Sequence, residues 1–306
     1  MKAGSISHHN GLSKALILIG LILTGGGLSY FVSFLFIQFY YGLDVFANPS
    51  ILTNFSADGV IPALKFMQLM NSLGAFIIPP LLFAFLVSEN WKSYLAIDKR
   101  PDVVVAFFVI ALMVLSQPWI NFMVWLNESM TLPDFLSTAE HWMKDKEKSA
   151  ELITESFLTM NGIGDLAVNI LLIGFVAALG EELFFRGLIQ PYLFRTTRNI
   201  HLAIWLTAIL FSAIHVQFYG FLPRMILGAI FGYALYWTGS LWVPVLAHFV
   251  NNAGAVVLTY IYGTGQSEQR IETIGIESGD WTYLVGSGIL IVYALIYIRN
   301  SAKVRA

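Results

Sequence analysis

AALGEELFFRGLIQ, residues 177–190, sets two adjacent glutamates and an arginine inside a run that is otherwise apolar enough to cross a membrane. An ionisable side chain near the centre of a bilayer costs roughly 2.5–3.5 kcal/mol on insertion scales, so it is normally paired, hydrated or functional. Successive helical residues turn by about 100°, which brings Glu182 and Arg186 onto one face and sends Glu181 about 140° away from Arg186. Arg186 is therefore the expected partner of Glu182, and Glu181 is left to face another element.

The rest of the chain supports a membrane setting. Of its 306 residues 57% are hydrophobic and 12% charged, and the mean hydropathy is +0.70, far from the average of soluble domains. Apolar runs at 15–39, 64–88, 103–126, 166–190, 201–219, 224–239, 242–262 and 281–298 predict an all-α polytopic membrane protein, a bundle of about eight transmembrane helices. The first run follows MKAGSISHHNGLSK and, at about 25 residues, is too long for the core of a signal peptide, so a retained first span is expected. Pro79 and Pro80 predict a kink in the second. A net charge of −2 without a long basic stripe argues against a nucleic-acid partner. The absence of cysteine excludes disulfides, thiol nucleophiles and Cys-ligated metals.

Four regions follow: N-terminal transmembrane helices (1–126), an extracytoplasmic amphipathic segment (127–165), a motif-bearing core (166–262), and a polar loop, last helix and basic tail (263–306). If every run crosses, Lys2 and Lys14, then Lys92, Lys99 and Arg100, then Arg195 and Arg198, and then Arg299, Lys303 and Arg305 share one side. Both termini are thus predicted to be cytoplasmic, in a pattern compatible with a bacterial inner membrane. The other side receives residues 40–62, which lack lysine and arginine, the stretch 127–164, and an acidic loop with Glu268, Glu272, Glu277 and Asp280. Within 127–164, Phe135, Leu136, Ala139, Trp142 and Met143 recur at helical spacing, as do Ala150, Ile153, Phe157 and Leu158. They predict two short interfacial helices, serving as a solvated connector or as a gate over the core. Lys144, Lys146 and Lys148 depart from the charge rule, with Lys65, Arg224 and Arg270 as lesser exceptions.

Three more polar features interrupt apolar runs: His215 in ILFSAIHVQF, and His248 and Asn252 in VPVLAHFVNNAG. His248 and Asn252 share a helix face, as Phe211 does with His215. In a compact bundle Glu181, His215, His248 and Asn252 can project into one wet cavity. A carboxylate and an imidazole together can orient a water and take its proton, and a His N–H with an Asn amide can stabilise the oxyanion of a hydrolysed amide. Two histidines and a glutamate are also a ligand set for catalytic zinc, in which case Glu181, His215 and His248 would hold the metal. The local H-E-x-x-H signature is missing, which favours metal-free chemistry. His8, His9, His141 and His201 lie in tails or at run edges and are assigned no role. Trp119, Trp125, Trp205, Trp237, Trp242 and Trp281 suit aromatic belts or helix packing.

The ordered set Glu181-Glu182-x-x-x-Arg186, Phe211-x-x-x-His215 and His248-x-x-x-Asn252 resembles the three-motif pattern of the CPBP family, the CAAX proteases and bacteriocin-processing enzymes also called the Abi family. The likeness covers about a third of the chain. It implies an all-helical intramembrane endopeptidase acting on a membrane-associated protein or peptide. By that resemblance Glu181 and His215 are the water-activating pair, His248 and Asn252 the oxyanion-stabilising pair, and Glu182 with Arg186 the supporting ion pair. Two other readings compete: a non-catalytic scaffold or bacteriocin-immunity protein of the same family, and an ion-coupled transporter.

Overall fold

The computed structural model describes residues 2–263, 273–277 and 279–303, and every extended regular element among them is helical. Glu268, Arg270, Glu272 and Arg305 lie outside the described residues. In chain order the main helices are α1 (Gly11–Tyr41), α2 (Val60–Val87), α3 (Val103–Leu115), α4 (Gln117–Glu128), α5 (Ser137–Leu158), α6 (Ile163–Thr197), α7 (Ile200–Ala213), α8 (Phe221–Thr238), α9 (Trp242–Tyr262) and α10 (Trp281–Lys303). The protein is an all-α polytopic membrane protein.

A helix stands at each of the eight apolar runs. By length and hydropathy, five of the described helices can cross a membrane, namely α1, α2, α6, α9 and α10, and six if α3 and α4 together form one span. Those two are bent by 41° because Pro118, at the second position of α4, lacks the N–H that would bond back to Val114. The runs expected at 201–219 and 224–239 are the 14-residue α7 and the 18-residue α8. α7 stops at Ala213, so His215 lies in the turn to α8 rather than within a helix. Val216 in that turn has φ 53°, a left-handed conformation rare for a β-branched residue.

The expected disturbance near Pro79 and Pro80 is a π turn over Ser72–Ile77, after which the prolines open the next helical segment. The segment 127–164 differs from expectation. Instead of two short helices it holds one 22-residue helix, α5. No Gly or Pro interrupts Ser137–Leu158, and the intervening lysines and glutamates are good helix formers that carry the helix through its polar middle. Lys144 and Glu140 form an exposed i,i+4 pair at 2.7 Å.

α6 is the axis of the fold, packed against α2, α7 and α9. Two π turns, Ile170–Val176 and Phe185–Ile189, flank its central α segment Ala177–Phe184. Such one-turn widenings re-aim side chains and recur at functional sites. α8 meets α6 and α7 through glycines: a Cβ on Gly228 would stand 3.1 Å from Phe211 and 3.2 Å from Arg186, and one on Gly232 would stand 2.8 Å from Gln190. Small residues let membrane helices approach closely enough for backbone carbonyls to be used as acceptors. The main core joins α3, α8, α9 and α10 around Val109, Leu112, Phe231 and Val243. Phe231 also forms one wall of the site.

Candidate functional site

Arg186 and Glu182 are fully buried, with Nη1 2.9 Å from Oε1. The expected pairing is therefore present. Arg186 Nη2 donates to Gly228 O at 2.9 Å, a bond that the missing side chain of Gly228 permits. The guanidinium lies 4.5 Å from the ring centre of Phe211 and 5.4 Å from that of Phe231. Cation–π attraction of this kind grows when the pair is desolvated.

Glu182 has a second partner that the sequence does not reveal. His248 Nδ1 donates to the same Oε1 at 2.9 Å, and the imidazole stacks on Phe231 with centroids 5.2 Å apart. Because the carboxylate oxygen only accepts, Nδ1 carries a proton and Nε2 is turned the other way. It faces Glu181, with Nε2 3.8 Å from Oε2. His215 is oriented in a parallel manner: Nδ1 donates to Phe211 O at 2.8 Å, and Nε2 stands 3.9 Å from the same Glu181 oxygen. The Phe211-x-x-x-His215 spacing thus acts through the backbone carbonyl of Phe211, and the ring of Phe211 supports Arg186.

Glu181, His215 and His248 are brought together from α6, the α7–α8 turn and α9. Both gaps are longer than a direct hydrogen bond, and Glu181 Oε2 has no hydrogen-bond partner. The Glu181 and His215 side chains remain 19% and 26% exposed, whereas the Glu182–Arg186 pair behind them has no access to solvent. Among the described residues no three His, Asp or Glu groups are placed to hold a metal ion. The fourth expected residue, Asn252, sits one turn beyond His248 and donates through Nδ2 to Ile173 O of α6 at 3.1 Å. One amide hydrogen therefore ties α9 to α6 and the second is left over.

The turn that carries His215 is held from outside. Asn127 Nδ2 donates to Phe218 O, Tyr219 N donates to Glu147 Oε2 of α5 at 3.3 Å, and Arg224 Nη2 donates to Gln217 Oε1 at 3.0 Å. The ring of Trp142 on α5 packs 5.3 Å from that of Phe218. Sequence reading missed these braces, and also Phe231 and Gly228. Only the position of Arg224, a cation within an apolar run, hinted at them.

An all-helical membrane protein with a carboxylate–imidazole cluster inside its bundle is the class that this geometry defines. Residues 163–254, which contain all three motifs, match the family described as type II CAAX prenyl endopeptidase Rce1-like. The chain is also 28% identical over 89 residues to the uncharacterized protein YpbD of Bacillus subtilis (strain 168), a match covering 28% of this chain and 42% of that protein. The chain thus spans less than half the length of that relative. No solved structure matches it significantly.

Proposed function

We propose that this protein is an intramembrane endopeptidase that hydrolyses a peptide bond of a membrane-associated protein or peptide with water activated by Glu181. The observation that carries the reading is the convergence of two imidazole Nε2 atoms on Glu181 Oε2, an oxygen without a hydrogen-bond partner. The family match over residues 163–254 supports it.

Water held against Glu181 Oε2 gives one proton to that oxygen as its own oxygen attacks the scissile carbonyl carbon. Its second hydrogen is held by the Nε2 lone pair of His215, which is free because Nδ1 carries the proton that bonds Phe211 O. The oxyanion that forms needs donors that are already in place. In this mechanism His248, oriented by the Nδ1 bond to Glu182, donates from Nε2 when protonated, and Asn252 supplies its second amide hydrogen. As the intermediate collapses, the C–N bond breaks and the proton on Glu181 passes to the departing amine. Atoms and charge balance without a covalent enzyme intermediate. Arg186 holds the Glu182 carboxylate in place, so the ion pair acts through His248. No step is routed through a metal.

The test is a quantitative comparison of protein termini in membranes from cells expressing wild type and cells expressing Glu181→Gln at matched levels. New termini that appear only with wild type are expected. Their absence, with both proteins folded and abundant, would favour the non-catalytic scaffold reading.

A further inference from the structure

A groove of roughly 840 Å³ runs along the outside of the bundle between α6 and α9, lined by none of the residues of the catalytic cluster. Its upper wall is apolar, formed by Phe175 of α6 and Val245, Leu246 and Phe249 of α9. Its lower rim is the loop after α2, which contributes Lys92, Asp98 and Arg100. The rim is fastened to the wall: Trp242 Nε1 donates to Ile97 O at 2.9 Å and Leu241 N to Ala96 O at 2.9 Å. Trp91 and Trp242 place the rim at the depth where indole rings prefer the membrane interface. This is also the end of the bundle that the distribution of lysine and arginine assigns to the cytoplasm.

We propose that this groove is a binding site for one singly anionic phospholipid, with its phosphodiester between Lys92 and Arg100 and an acyl chain along Phe175, Val245, Leu246 and Phe249. The charge argument is specific. Lys92 and Arg100 are exposed and form no ion pair among the described residues. With Asp98 beside them, the rim carries one net positive charge, which a phosphodiester neutralises. Basic pockets between transmembrane helices select anionic headgroups in this way. A zwitterionic lipid would bring its own cation to the rim and gain less, and a peptide segment without carboxylates would leave both cations unpaired. The proposal is independent of the proteolytic reading, because binding is measured without turnover.

The experiment is native mass spectrometry of the full-length protein, delipidated in detergent, titrated with phosphatidylglycerol or phosphatidylcholine of identical chains. Phosphatidylglycerol should bind about tenfold more tightly, and the double variant Lys92→Gln/Arg100→Gln should lose that preference. Leu246→Trp, which fills the groove and leaves the rim intact, should weaken the same adduct. Arg299→Gln, a cation on α10, should change nothing. Equal binding of the two lipids would overturn the proposal. So would a preference that survives the double variant, or one that Arg299→Gln reduces as much. Unchanged melting temperatures of the lipid-free variants establish that the exposed substitutions leave the fold intact.

Discussion

The buried pair Glu182–Arg186 offers a quantitative test of how the site is held together. Neither side chain is exposed, and their atoms meet at 2.9 Å. Removing one partner leaves the other as an uncompensated interior charge, which costs about 3–5 kcal/mol. Glu182→Gln and Arg186→Met should each destabilise by that amount. The double variant Glu182→Gln/Arg186→Met strands no charge. It keeps an amide oxygen that can accept from His248 Nδ1, and it fills most of the volume between Phe211 and Phe231. What it shares with Arg186→Met is the loss of the bond to Gly228 O, so that cost cancels in the cycle. The double variant should therefore be more stable than the sum of the singles predicts, by about 2–3 kcal/mol. Reversible unfolding in mixed micelles, followed by helix content against mole fraction of dodecyl sulfate, measures all four proteins. Additivity to within about 0.5 kcal/mol would refute the coupling.

Other expectations follow from the same geometry. Gly228→Leu drives a side chain into Arg186 and Phe211 and should cost about 1–3 kcal/mol by overpacking, seen as a lowered melting temperature; an unchanged one would mean that α8 can retreat freely. The pair Asn127→Ala/Glu147→Ala frees the turn bearing His215, so turnover should fall while the melting temperature moves little; equal activity would remove α5 from the positioning of His215. Hydrolysis should withstand prolonged incubation with a strong chelator, and loss of activity restored by added zinc would replace the metal-free mechanism.

Local geometry decided what could be read from the sequence. Glu182 with Arg186 and His248 with Asn252 are each four residues apart on one helix, which brings such positions together whatever surrounds it; Phe211 and His215 have the same spacing but meet across the turn that ends α7. The outward turn of Glu181 followed from the same rotation. The bond between Glu182 and His248 spans 66 residues, and no periodicity predicts it, so Glu182 read as a structural partner of Arg186 alone. Helical period also gave no warning of the π turns beside Ala177–Phe184. In α5 the two apolar clusters hid one continuous helix, since hydrophobic spacing marks faces and is silent about the polar residues that join them. Composition made the membrane setting plain. It could not separate a helix that crosses from one as short as α7.

The most direct test of the account compares purified wild type with Glu181→Gln on a substrate identified from the altered termini, with turnover and melting temperature measured on the same preparations. Loss of the base should lower turnover by about 10²–10⁴-fold and leave the melting temperature close to wild type, because the Glu182–Arg186–His248 network stays intact. Undiminished turnover by a folded Glu181→Gln protein would remove Glu181 from the chemistry and contradict the proposed mechanism.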